Sequence, residues 1–443
     1  MSVDEPKAPR SKTGPAKLRD ALLRPELDVM NFLNEIVSRF PEAISFAPGR
    51  PHESLFDVKE SLESLDLFVD HFASQEAISH EQALARLGQY QRTNGIIHDL
   101  VARQVANDEG IVVDPADIMI TSGAQEAMAI LMLGLFDAQH DALLCADPAY
   151  IGMTGPAAIT GVTIVGVPTG PEGVEPHAVI AAIAKADGLS KIPRALYLIP
   201  DFNNPLGTSI PLTTRYELLE VAKQHGLLII EDNPYGMFAY DHEPLPTMKA
   251  LDASRTVVYI GTFAKSVYPG LRIGYMIADQ PYESGSLASE LSRVKSMTTV
   301  TSSPITQALL GGLLLREDCS LREFVRDKVA FYRSNRDTML VALGQAFKAR
   351  AAGAQVTWNE PAGGFFLTVD LPFDFDNACL ERCARDFGVI ACPMSYFALD
   401  KGRDRQVRLS FSAVTPPEIE TGIERFAEFV SIRMSETAEL VGG

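Results

Sequence analysis

The stretch Gly261-Thr-Phe-Ala-Lys265-Ser-Val-Tyr-Pro-Gly-Leu-Arg272-Ile-Gly274 sets a lysine seven residues before an arginine, between two apolar runs. Residues 255–260 and 272–277 read as buried strands, so Lys265 falls in the small-residue turn after a strand end. Desolvation there lowers a lysine's pKa, and a less basic amine forms a Schiff base readily with an aldehyde. The plain alternative is a surface lysine in an ordinary strand-to-loop turn.

Three more polar clusters also follow apolar runs. Ser122-Gly-Ala-Gln125 follows Ile118–Thr121 and precedes a helix over 126–136. Free N–H groups at a helix start, aided by its dipole, favour an anion such as phosphate. Asn203-Asn-Pro-Leu-Gly207 follows Ala195–Ile199, and Glu231-Asp232-Asn-Pro-Tyr235 follows Leu227–Ile230. In open α/β sheets ligands bind beyond the carboxyl ends of strands, so these motifs predict one shared cleft.

The elements that must position them alternate as short strands and helices from about residue 118 to 280, the pattern of an α/β sheet covered on both faces. A helix is expected over 26–40, with Val29, Phe32, Leu33 and Ile36 on one face. The run 44–52 reads as an extended piece and a Pro/Gly turn that could offer backbone to a ligand. Residues 56–88 read as helical, and the loop beyond them carries Tyr90. After 285 the pattern turns helical, and a long amphipathic helix over 321–347 leads to strands at 356–372, 389–392 and 406–411 and a closing helix over 416–434.

The chain has 443 residues, 46% hydrophobic and 22% charged, ordinary globular proportions. A net charge of −18 without a long basic run argues against nucleic acid or an anionic membrane as partner. No apolar run is long enough for a signal core or a membrane span. The five cysteines are scattered, without CxxC spacing, and read as reduced thiols of a cytoplasmic protein with no metal site.

Six segments, in this order and at these spacings, carry a resemblance: Ser122–Gln125, Asn203–Gly207, Glu231–Tyr235, Phe263–Lys265, Gly270–Gly274 and Arg408–Phe411. Together the chain resembles the class I/II aminotransferases, fold type I pyridoxal-phosphate (PLP) enzymes, over about residues 25 to 435. The closer resemblance is to the kynurenine/2-aminoadipate branch. Met30–Asn34 and Ile44–Pro51 are similar to actinobacterial antibiotic-precursor aminotransferases such as 3,5-dihydroxyphenylglycine transaminases.

The resemblance implies a mixed, mostly parallel seven-stranded sheet between helices and a small α+β domain. The expected division is a tail over 1–25, a segment over 26–90 serving the small domain and dimer contacts, a PLP-binding domain over 91–320 and a small domain over 321–443. It implies Lys265 as the Schiff-base lysine and proton shuttle, and Asp232 as partner of the pyridine nitrogen. Tyr235 and Asn204 match the groups on the ring oxygen, and Tyr150 the stacking aromatic. Arg272, Ala124, Gln125 and Thr262 match the phosphate site, which Tyr90 reaches from a second subunit, implying a homodimer with shared sites. Arg408 matches the binder of the substrate α-carboxylate, with Gly49 and Arg50 lining the pocket.

Two departures stand out. Ala264 precedes Lys265 where the branch has serine, and Ala124 stands where a serine often touches phosphate. Each lost hydroxyl weakens phosphate binding by about 1 kcal/mol at most. The implied reaction moves an amino group between an L-amino acid (aromatic, aminoadipate-like or guanidino) and a 2-oxo acid. β-Elimination, decarboxylation and oxidation remain open on the same scaffold. A sensing module fused to a DNA-binding domain is disfavoured, since only about 25 residues precede the matching region.

Overall fold

Side-chain alternation along the strands decides which face each residue serves. In Asp141–Asp147, Leu143 and Cys145 pack into one buried cluster, whereas Ala142, Leu144 and Ala146 pack into another. Such strands are apolar throughout because helices cover both sides. The computed structural model describes residues 18–23, 27–283, 285–348, 355–400 and 402–442. Most of the tail expected over 1–25 lies outside them.

The main sheet runs, edge to edge, Ile118–Thr121, Gly274–Ile277, Val257–Thr262, Leu228–Asp232, Ile192–Leu198, Asp141–Asp147, Thr163–Gly170 and Gly173–Val174. From Val257–Thr262 to Thr163–Gly170 neighbours are parallel, and Gly274–Ile277 is antiparallel to both its neighbours. The sheet has eight strands rather than the expected seven. The extra one arises where Thr163–Gly170 doubles back into Gly173–Val174, a two-residue antiparallel pairing.

Register fixes how one motif divides its carboxylates. Tyr197 pairs with Ile230 and Leu198 with Glu231, and the side chains of Tyr197 and Ile230 share one cluster. Asp232, two residues beyond Ile230, projects from that same face. Glu231 projects from the opposite face, where it accepts the Met248 and Lys249 N–H groups at 2.8 and 2.7 Å. Burial lifts the Glu231 carboxyl to about 8 against those two bonds.

A second sheet orders Thr357–Trp358, Phe366–Asp370, Gln406–Ser410 and Cys392–Pro393, all antiparallel. The single strand expected over 356–372 is thus a short hairpin, broken at Pro361-Ala-Gly-Gly364. Helices Arg326–Lys348, Asn377–Phe387 and Pro416–Gly442 pack with it. Residues 44–46 of the N-terminal segment belong here too, whereas Phe68, Phe72 and Leu87 farther along it pack with Ile118 and Tyr259 of the main sheet. Ile44–Ser45 pairs in parallel with Val389–Ile390, and the Ser410 N–H donates to the Phe46 carbonyl. That pairing delivers Ala47–Arg50 to the end of the main sheet. No helix of the described residues is long and apolar enough to cross a membrane.

Candidate active site

A cleft of about 650 Å³ opens at the carboxyl ends of the parallel strands, between the two sheets. Gly49, Arg50, Ala124, Gln125, Tyr150, Asn204, Asp232, Tyr235, Thr262, Lys265, Arg272 and Arg408 all line it. Tyr90 does not. It lies on the surface, 77% exposed, just after the helix His80–Leu87.

Lys265 sits three residues past Val257–Thr262, and its Nζ donates to the Gly49 carbonyl at 2.7 Å. Burial pulls the Lys265 ammonium down to about 8, Arg408 and Arg272 push the same way, and Asp232 opposes them. Lys328, on the helix Arg326–Lys348, donates from Nζ to the Ser266 and Val267 carbonyls at 2.5 and 3.0 Å, fixing the turn that follows Lys265.

Asp232 is almost fully buried, and Tyr197 donates its hydroxyl to Oδ2 at 2.6 Å. Burial raises the Asp232 carboxyl to about 7, against the Tyr197 bond and the Lys265 charge. A buried carboxylate in this state calls for a cationic partner. Tyr150 and Tyr235 stand nearby, and burial drives the Tyr150 phenol up to about 12 and that of Tyr235 higher.

An anion cradle forms beside them. The helix Ala124–Gly134 begins at the cleft, with Gly123 at φ +80° ahead of it. A Cβ on Gly123 would lie 2.6 Å from an Arg272 guanidinium nitrogen, so only glycine lets the guanidinium close over the turn. Arg272, itself at φ +53°, donates to the Ser122 carbonyl at 3.4 Å and keeps the rest of its fork toward the cleft. Gly274 repeats the logic, since a Cβ there would approach the Ala124 nitrogen to 2.7 Å.

Arg408 lies mid-strand in Gln406–Ser410, paired with Thr368 and Cys392. Its guanidinium donates to Asn204 Oδ1 at 2.6 Å and to the Ala47 carbonyl at 2.5 Å. It is sandwiched between the rings of Phe366 and Phe397, at 4.4 and 4.6 Å. Its buried Nε has no partner among the described residues. The flat fork is therefore held edge-on to the cleft, a geometry suited to a carboxylate. Gly49 belongs to the same contact, because the Phe366 ring occupies the place of a Cβ.

Sequence reasoning missed Tyr197, Phe397 and Lys328. Tyr197 sits inside an apolar run, where only strand register brings it to Asp232. Lys328 is 63 residues from Lys265, on a helix whose polar periodicity resembles a solvated face. Among the described residues, no group of His, Cys, Asp or Glu could hold a metal ion.

The family model for aminotransferase class I and II matches residues 70–426. The (S)-3,5-dihydroxyphenylglycine transaminase of Amycolatopsis orientalis is 41% identical over 94% of both chains. The 2-aminoadipate transaminase of Thermus thermophilus is 29% identical over 87% of this chain and 89% of its own. Among solved structures, the Pyrococcus horikoshii kynurenine aminotransferase in complex with PMP is 25% identical, with a TM-score of 0.81 over 94% of this chain and 97% of that one.

Proposed function

The chain belongs to the class I and II aminotransferases and is a PLP-dependent enzyme, and from that premise we propose how its residues divide the work and which donor they take. The site residues fit the cofactor chemically: an amine of lowered pKa, a buried carboxylate without a cation, and a glycine-and-arginine anion cradle stand around one cleft. When bound, PLP supplies the electron sink that stabilises negative charge at the substrate α-carbon.

Lys265 would hold the cofactor through its aldehyde carbon, and its Nζ is the group placed to carry a proton at the substrate α-carbon. Asp232 would hold the proton on the ring nitrogen, and a cationic partner there would return its carboxyl to the charged form. Tyr197 orients that carboxylate. Tyr235 and Asn204 would hold the ring oxygen, and Tyr150 would supply the stacking aromatic. Arg272, Thr262 and the Ala124 and Gln125 N–H groups hold the phosphate. Arg408 takes the substrate α-carboxylate, which satisfies its orphaned Nε. Tyr197→Phe is expected to lower kcat about tenfold with KM nearly unchanged, since a hydrogen bond to a charged group contributes about 1.5 kcal/mol. Steady-state rates check this, and wild-type turnover would remove Tyr197 from the machinery.

The donor we propose is an aromatic L-amino acid, with a 2-oxo acid as acceptor. The observation that carries this is the cleft lining: Val37, Met128, Ile151 and Phe397 contribute apolar surface beside the polar Ser38 and Arg50. The 41% identical dihydroxyphenylglycine transaminase supports the same choice. A panel of 3,5-dihydroxyphenylglycine, phenylalanine, kynurenine and 2-aminoadipate against 2-oxoglutarate and pyruvate tests it. Aryl donors are expected to lead by at least about tenfold in kcat/KM, the scale of discrimination that a shaped apolar pocket gives. A lead for 2-aminoadipate would reverse the assignment.

We further infer a homodimer, supported by Tyr90, Met297 and Val300 as exposed apolar side chains. Tyr90 would then serve the cleft of a second copy. We keep the division at 26–90, 91–320 and 321–443 as a proposal; within its first segment, the pairing of Ile44–Ser45 with Val389–Ile390 supports the link to the small domain, while Phe68, Phe72 and Leu87 pack with Ile118 and Tyr259 of the main sheet. Five free, buried thiols support a reducing, cytoplasmic compartment.

A further inference from the structure

Beneath the anion cradle lies a buried ion pair that the reaction does not explain. Glu126, on the first turn of Ala124–Gly134, accepts the Ser122 N–H at 2.5 Å. The same carboxylate takes the Lys295 ammonium on both oxygens, at 2.9 and 2.8 Å, and the Thr299 hydroxyl. Lys295 is fully buried and also donates to Thr299 Oγ1 at 3.2 Å and Ser302 Oγ at 3.0 Å. Ser302 in turn donates to the Ile120 carbonyl at 3.2 Å, and its oxygen lies 3.4 Å from Ser122 Oγ. One ammonium thus ties the edge strand, the Ser122–Ala124 turn and the helix Leu287–Thr298 together.

The charges make this more than a brace. Glu126 puts a negative charge at the helix end whose dipole should draw an anion. Burial works against that charge, yet the bonds from Lys295, Thr299 and Ser122 hold its carboxyl below the ordinary value. The carboxylate is therefore ionised, two residues from Ala124. Only Lys295 cancels it among the groups bonded to it.

We propose that Lys295 serves PLP retention through Glu126: its ammonium cancels the carboxylate charge that lies behind the phosphate-binding turn. This rests on the reading that the phosphate occupies the Arg272 and Ala124 cradle.

The test is PLP titration of the apo-protein, followed by cofactor absorbance, in Lys295→Met, Glu126→Gln and the double variant. Charge sign separates the outcomes. Lys295→Met leaves a bare carboxylate behind the phosphate, and its Kd for PLP is expected to rise at least about tenfold, the scale of a short-range charge contact at intermediate dielectric. Glu126→Gln leaves a positive charge and keeps Kd within about threefold, because an amide oxygen can still accept from Ser122. The double variant is expected to recover most of the affinity lost in Lys295→Met. Pyridoxal, which lacks the phosphate, is expected to bind all forms alike.

Equal losses in the two single variants, or pyridoxal binding that falls in step with PLP, would reduce the pair to an ordinary structural brace and overturn the proposal. Should Lys295→Met fail to fold, Glu126→Gln still decides, since a loss beyond tenfold there contradicts the charge argument. Arg272→Ala is the control on the underlying reading. If it leaves PLP affinity unchanged, the phosphate lies elsewhere, and the failure belongs to that reading rather than to Lys295.

Discussion

Lys265→Ala is expected to drop kcat by about 10³-fold or more, because the change removes both the covalent anchor and the proton carrier, and general acid–base catalysis alone contributes about 10²–10⁴-fold. PLP still binds through the contacts at Arg272 and the Ser122 turn, so the loss is in chemistry rather than loading. Lys265→Arg is expected to be as inactive, since a guanidinium does not deprotonate and cannot form the link. The pH dependence gives a second measure. With Nζ pulled to about 8, the uncharged amine grows as pH rises through that value. Uptake of PLP by wild-type apo-protein should therefore quicken from pH 6.5 or so and level off above about 8. In Lys265→Ala the same profile should be flat. A variant within tenfold of wild-type turnover, or one that keeps the rise near pH 8, would assign the role to another amine. Lys328 is the alternative to examine, since burial also pulls its ammonium to about 8. It is committed to the Ser266 and Val267 carbonyls and does not line the cleft.

How much of this was legible in the sequence depended on whether the signal was local. Asp232 ends a strand, Lys265, Asn204 and the Ser122 turn each follow one, and the carboxyl ends of parallel strands share one edge of the sheet whatever the loop lengths. Their meeting in one cleft follows from alternation alone. Arg408 was legible only through a family motif, because nothing local says that a mid-strand arginine faces a cleft. Tyr197 needed register, which sets residue 197 against residue 230. The Lys295 and Lys328 contacts span 169 and 62 residues, and each lysine sits in a helix with ordinary charged spacing. The hairpin at 357–370 was read as one strand because its first arm is only two residues long, too short to mark a separate element. The eighth strand is two residues long, below what any period can mark.

Asp232→Asn is expected to cost about 10²–10³-fold in kcat while making the apo-protein more stable at neutral to alkaline pH. The activity loss follows because an amide cannot hold the ring nitrogen's proton, and a preorganised charge aimed at a reacting system contributes on that scale. The stability gain follows from linkage. Burial raises the folded Asp232 carboxyl from 3.8 to about 7. The folded state therefore favours the protonated form, and stability is lost as pH rises from about 4 through 7. Asparagine has no charge to bury and escapes that loss, while its oxygen still accepts from Tyr197. Melting temperatures of the two apo-proteins should coincide near pH 4, separate as pH rises, and differ most above 7, with the variant higher. With PLP bound the order is expected to narrow or reverse, since the ring cation stabilises the wild-type carboxylate and does nothing for the amide. A variant as active as wild type would release Asp232 from its assigned role. A melting gap that widens toward acid would show that its carboxyl is not the strained charge of the apo-protein.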